Sequence, residues 1–154
     1  DTVSWNALIA GYAQEGYCDE TLNCVEQMEL EGFSPNEVTF LCVLSACSHS
    51  GKLDEAQMFY ENMSRKHGLT LKPEHHACMV MVFGNAGRFD KAMSMIKTMP
   101  SSENPSVWLS LLSACKKWGN LELAREVFEH LMEWNLSDSS AYVCMSNIYA
   151  NASI

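Results

Sequence analysis

Trp5-Asn6-Ala7-Leu8-Ile9-Ala10-Gly11-Tyr12-Ala13-Gln14-Glu15-Gly16 sets a pattern that returns three more times along the chain. With Gly16, Gly51, Gly87 and Gly119 as anchors, the copies are spaced by 35, 36 and 32 residues. Trp5, Phe40, His76 and Trp108 stand at one equivalent position, followed by Leu8, Val43, Met79 and Leu111. Ile9, Leu44, Val80 and Leu112 come next, then Tyr12, Cys47, Phe83 and Cys115. Steps of three, four and seven residues lay these side chains along one stripe of an α-helix. A second stripe follows each glycine. Its positions hold Cys18, Leu53, Phe89 and Leu121, then Thr21, Ala56, Ala92 and Ala124, then Val25, Tyr60, Ile96 and Phe128, and lastly Met28, Met63, Met99 and Leu131. The small residue in the second set lets two helices approach closely, and the glycine between them suits the left-handed end of the first.

A single hairpin of this kind cannot bury its stripe, so neighbouring copies must stack. The expected fold is an all-α solenoid of helix-turn-helix repeats. Tyr142, Met145 and Tyr149 restart the pattern near Ser139, which predicts a fifth first helix ending the stack with an exposed apolar face.

The bulk composition narrows the function classes. The 154 residues suffice for a buried core, and 47% are hydrophobic. No apolar stretch approaches the ~18–20 residues of a membrane span. Ten basic residues against 19 acidic ones leave a net charge of -9, which argues against binding nucleic acid through phosphates alone. Reading unstacked bases one at a time leans less on bulk charge, and a protein-binding module is equally compatible. The seven cysteines make an odd number for a disulfide framework, and five lie within apolar helical patterns, pointing to a reducing compartment. The first residue is Asp1 and the last segment stops inside a helical pattern, so the sequence reads as an excerpt of a longer protein.

No catalytic apparatus is legible. The His-x-Glu and Cys-x-x-Cys strings of a zinc deaminase are absent, as is a Gly-rich phosphate loop. His75, His76 and Cys78 cluster locally, but His76 occupies a stripe position, where packing is expected rather than a metal. The expectation is a non-enzymatic module with no cofactor and no small-molecule substrate.

A helix-pair period of 34–36 residues fits two repeat families, and the residues decide between them. Val3-Ser4-Trp5-Asn6-Ala7-Leu8-Ile9-Ala10-Gly11-Tyr12 resembles the opening of a plant pentatricopeptide repeat. Val38 to Gly51 resembles the family's long variant, and His75 to Val80 with Gly84 to Arg88 its short variant. Val107-Trp108, Leu111 to Cys115 and Gly119 to Ala124 resemble the E-type extension, and Ser146 to Ala150 the start of a second E-type motif. On that resemblance residues 2–36 form an ordinary repeat, 37–72 a long one, 73–104 a short one, 105–138 an E-type motif, and 139–154 a truncated second.

The resemblance implies an RNA-binding protein of mitochondrion or chloroplast, typically a site-recognition factor for cytidine-to-uridine editing. Its partners would be single-stranded organellar RNA and, through the E-type region, a deaminase-bearing or editing-factor protein. One base is met per repeat, through the fifth residue and the last. Those positions hold Asn6 and Asn36 in the first repeat, Leu41 and Lys72 in the second, and Ala77 and Asn104 in the third. Val3 and Val38 match second positions whose apolar side chain wedges against bases. The E-type copy has Ser106 and Leu109 at these positions, which suits protein contact or capping better than base reading. Asn6 and Asn36 suit a pyrimidine, because a carboxamide carries both a donor and an acceptor. From the residues alone, Asn36 also reads as the N-cap of the next helix and the valines as staples. An adaptor that binds proteins is the other function class. Exposed glutamates such as Glu26, Glu29 and Glu31 mark a solvated outer face, with Lys52, Lys116 and Lys117 available to the opposite one.

Overall fold

The computed structural model describes residues 1–98, 105–133 and 139–152, and these are helical with short turns and no strand. The helices are α1 Thr2–Gln14, α2 Cys18–Leu30, α3 Glu37–Ser50, α4 Leu53–Arg65, α5 Pro73–Asn85, α6 Phe89–Thr98, α7 Pro105–Trp118, α8 Leu121–Glu133 and α9 Ser139–Ala152. None of the described helices is long and apolar enough to cross a membrane.

The anchor glycines do what their spacing predicts. Gly16, Gly51, Gly87 and Gly119 have φ of 79°, 68°, 75° and 68°, the left-handed region that a side chain would strain. At Gly51 the backbone N–H turns back to the carbonyl of Cys47 and closes α3. The helix starts are equally local in origin. The Asp1 carboxylate accepts the N–H of Ser4 at 2.7 Å, and Pro73 and Pro105 occupy first-turn positions where a missing N–H costs nothing.

The odd-numbered helices form one layer, α1 packing on α3, α3 on α5, α5 on α7 and α7 on α9. Each hairpin is completed by its own second helix, and α2 and α4 also lean on the first helix of the next pair. Ile9, Leu44, Val80 and Leu112 are fully buried along the seam, with Thr21, Ala56, Ala92 and Ala124 equally buried where the helices of each pair meet. At the α5–α7 crossing a Cβ added to Gly84 would lie 3.0 Å from the Ala114 Cβ, so this approach depends on a missing side chain. The molecule is an α-solenoid.

One stripe expectation needs correction. Leu8 is 47% exposed, whereas Val43, Met79 and Leu111 at the same position are buried. That position faces the preceding helix pair, and no helix precedes α1 among the described residues. In α9 the packed side is Ala141, Met145 and Ile148, while Tyr142, Val143 and Tyr149 form the exposed apolar face expected of this helix. Tyr142 meets Phe128 edge-on at 5.5 Å. Met99 and Trp134 lie outside the described residues.

All seven cysteines are free thiols. Cys18 and Cys47 touch across the α2–α3 contact at 4.0 Å between sulfurs. Burial, reinforced by Cys18, pushes the Cys47 thiol up to about 12, so it behaves as a small hydrophobe. Burial likewise takes Cys115 to about 12 and Cys78 to about 11.

Candidate nucleic-acid interface

The N-terminal turns of the first helices carry the residues singled out by position, and at the first junction two of them meet. Asn36 caps α3 with an extended backbone, its Oδ1 accepting the N–H groups of Val38 at 3.1 Å and Thr39 at 3.2 Å. The Thr39 hydroxyl accepts the Asn36 N–H at 3.0 Å, completing a capping box. Into this cap reaches Asn6 from α1, its Nδ2 donating to Asn36 Oδ1 at 3.0 Å. Asn6 Oδ1 accepts from the Thr39 hydroxyl at 2.5 Å.

This network settles which way both amides face. Backbone N–H groups can only donate, so the Asn36 oxygen must point into the cap. Asn6 must then present its NH2 to that oxygen and its own oxygen to Thr39. Asn6 is only 8% exposed and is largely consumed. The Asn36 NH2 group has no partner among the described residues, and Asn36 is half-buried. What the site offers outward is therefore a paired hydrogen-bond donor, held rigid by three bonds to the Asn36 oxygen.

Beside it Val38 is 52% exposed and Val3 77% exposed, each on a first helical turn. Both lie inside their helices and face solvent, so neither packs as a staple. They are exposed apolar side chains on the first turns of α1 and α3.

The second junction uses the same backbone positions for different chemistry. Lys72 stands where Asn36 stands, but its ammonium pairs with Glu37 at 2.6 Å. Its pKa is raised by that hydrogen bond. Leu41 replaces Asn6 and is half-buried without a polar group to offer. His75 replaces Thr39, with Nδ1 accepting the Lys72 N–H at 3.1 Å and Nε2 donating to the Glu37 carbonyl at 2.9 Å. Both ring nitrogens are thus used in joining α3 to α5, leaving neither for a metal ion. No group of three or more metal-binding side chains occurs among the described residues. In the third repeat Ala77 is half-buried against the core. Asn104 lies outside the described residues.

His76 packs as its stripe position predicts, edge-on to Tyr60 at 5.9 Å, with its Nδ1 2.9 Å from the Tyr60 hydroxyl. Burial, assisted by His75, holds its pKa below the ordinary 6.5. The unfolded chain therefore takes up this proton first as the pH falls. Stability from His76 is complete above pH 6.5 and is lost progressively below it. His76→Phe, the residue type Phe40 supplies at the equivalent position, should flatten the acid limb of a melting-temperature profile measured between pH 7 and pH 5. An acid limb identical in the variant would refute the assignment.

Thr39, Glu37 and His75 were not singled out by position, although they decide what each junction can do. The spacing Asn36-x-x-Thr39 carries a capping-box signal that could have found the first. Nothing local marks the other two. Of the cations expected on this side, Lys52 pairs with Asp19 at 3.3 Å, whereas Lys116 and Lys117 form no ion pair among the described residues.

Residues 1–49 match the sequence model of a PPR repeat family, residues 38–67 and 77–103 match the PPR repeat, and residues 118–154 match the E motif. Over 152 residues the chain is 41% identical to CRR2, a chloroplastic pentatricopeptide repeat-containing protein of Arabidopsis thaliana, covering 99% of this chain and 23% of that one. ELI1, also chloroplastic and from Arabidopsis thaliana, is 38% identical over 152 residues, covering 98% of this chain and 24% of that one. A mitochondrial pentatricopeptide repeat-containing protein of the same plant is 41% identical, covering 99% and 27%. The chain spans about a quarter of the length of these curated relatives. Among solved structures, the pentatricopeptide repeat protein PPR10 from maize shares the fold with a TM-score of 0.79 and 22% identity over 99% of this chain and 22% of that one. PPR10 in complex with an 18-nt psaJ RNA element gives a TM-score of 0.84 at 17% identity, over 99% of this chain and 23% of that one.

Proposed function

The chain belongs to the pentatricopeptide repeat family and carries an E motif, and from that premise we propose that it is a single-stranded RNA-binding module of an organellar protein. The observation that carries this reading is the Asn6–Asn36 pair, at 3.0 Å, with the Asn36 amide turned outward by its own cap. A fixed NH2 group suits an acceptor on the Watson–Crick edge of an unstacked base, such as the O2 that both pyrimidines carry. Val3 and Val38 supply apolar surface on which that base can be wedged, and the family pattern for an Asn/Asn pair favours cytosine over uracil. The second junction, with Lys72 held by Glu37 and Leu41 opposite, spaces the strand rather than reading it. The third repeat, through Ala77 and Asn104, reads weakly.

The RNA complex of PPR10 supports RNA as the ligand class, and the relatives named chloroplastic and mitochondrial support an organelle as the compartment. The E motif supports a finer role, as a site-recognition factor for cytidine-to-uridine editing whose chemistry is done by a deaminase-bearing or editing-factor partner docked on the E-type region.

The test is binding to short RNAs that differ at one pyrimidine. Discrimination at one nucleotide is expected for the unmodified chain. Asn6→Ala, which removes the support of the Asn36 amide, should reduce that discrimination about fivefold. Equal loss against all sequences, or no discrimination at any position, would favour a helical-repeat adaptor for proteins.

A further inference from the structure

At the far end of the first-helix layer, the C-termini of α5 and α7 gather an exposed aromatic and two cations. Trp118 is 53% exposed, although Trp108 in the same helix is buried and stacked on His130 at 4.6 Å. The indole is held in place on its polar edge, where Nε1 donates to the Asn85 carbonyl at 3.3 Å. Its ring lies against the turn, since a Cβ added to Gly87 would sit 3.3 to 3.5 Å from three of its ring atoms. Lys117 Nζ donates to the same Asn85 carbonyl at 3.3 Å and stands 5.7 Å from the ring centre. Lys117 and Arg88, which follows Gly87, are exposed and form no ion pair among the described residues, whereas Lys116 faces Cys144 of α9 on the other side.

We propose that this patch is a second RNA-binding element, in which Trp118 stacks an unpaired base and Lys117 and Arg88 hold the adjoining phosphates. The inference rests on the RNA-binding reading above and extends it to the repeat that lacks base-reading residues. Helix stability does not account for the patch. Lysines at the end of α7 suit the negative end of its dipole, but Arg88 immediately precedes α6, where a cation is disfavoured. In a chain of net charge -9, two cations beside one exposed indole select a polyanion that carries flat rings. Every base has such a face, so stacking here is indifferent to sequence. The position is reachable. The patch lies about 20 Å along the helix axis from the Asn36 end of the layer, and two helices of about 8–10 Å each to the side.

The experiment compares two RNAs bound to the 154-residue chain. One is a short strand bearing the matching pyrimidine; the other extends it by about six uridines on either side. The extended strand should bind at least about fivefold tighter, with the gain lost in Trp118→Ala and retained in Trp118→Phe. In the double variant Arg88→Gln, Lys117→Gln, the slope of log Kd against log salt should fall by about 0.7 for each phosphate released. Melting curves verify that each variant is folded, and the Trp118→Phe comparison separates stacking from the bond to Asn85. No gain from the extension, or an equal gain in Trp118→Ala, overturns the proposal. So does a gain fully reproduced by abasic extensions, and so does displacement by polyglutamate with the same potency as by uridine strands, which would mark a site for an acidic protein segment. Loss of pyrimidine discrimination with the extension gain intact would sink the Asn6–Asn36 reading and leave this one standing; the reverse result would do the opposite.

Discussion

Phe40→Ala should destabilise the fold by about 3–5 kcal/mol, measured as a shift in the midpoint of urea unfolding at unchanged slope. Phe40 is 2% exposed on α3, the helix that packs against α1, α2, α4 and α5. Its ring meets Phe59 of α4 edge-on at 6.2 Å and His67, beyond α4, at 5.2 Å. Truncation therefore removes a buried ring, two aromatic contacts and the pin between α3 and the end of its own hairpin. The cavity cannot close easily, because α3 is held on both sides by neighbouring first helices. Such a loss is a large share of the ~5–15 kcal/mol that a domain of this size holds in reserve. Leu8→Ala is the matched control. The same helical periodicity marks Leu8 as core, yet its exposure predicts a cost under about 1 kcal/mol. Equal costs for the two variants would mean that the stack buries its first helix in solution.

That contrast shows where sequence reading reaches its limit. Periodicity identifies the face of a helix that wants burial, and the turn glycines identify where the chain reverses, because both are properties of a few consecutive residues. The stacked helix pairs were legible for that reason. Whether a given apolar face has something to pack against is decided by the neighbouring repeat, so Leu8 was misjudged, whereas the exposed face of α9 was expected. The candidate interface divides in the same way. Asn6 and Asn36 could be singled out one by one, but their meeting depends on Thr39, which belongs to the following helix and links both amides. The exchange of Thr39 for His75 at the next junction, and of Asn36 for a Lys72 bound to Glu37, changes what each junction presents without changing its backbone. The Trp118 patch is less legible still: Gly87, Asn85 and Trp118 come together only because α5 lies beside α7.

Substitutions at Asn36 should have the largest effect on recognition, and two of them separate its structural duty from its outward one. Asn36→Ala removes the acceptor for the N–H groups of Val38 and Thr39 and the partner of Asn6 Nδ2, leaving the 8%-exposed Asn6 amide half satisfied. Loss of the cap alone costs about 1 kcal/mol, and an unpaired buried polar group adds about 1–3 kcal/mol. Both stability and RNA binding should fall, so this variant alone decides little. Asn36→Asp keeps a capping oxygen at the positive end of α3 and still accepts from Asn6, so its melting temperature should stay close to that of the unmodified chain. Its outward atom, however, changes from an NH2 donor to a carboxylate oxygen. A base that was held by an acceptor edge now faces an acceptor, and preference should move to a base presenting a donor there. The expected result is intact folding with discrimination at one nucleotide lost or redirected by about tenfold, read from binding to RNAs that differ only at that position. Unchanged discrimination in a folded Asn36→Asp would show that the outward amide meets no base, leaving Asn36 with the cap alone.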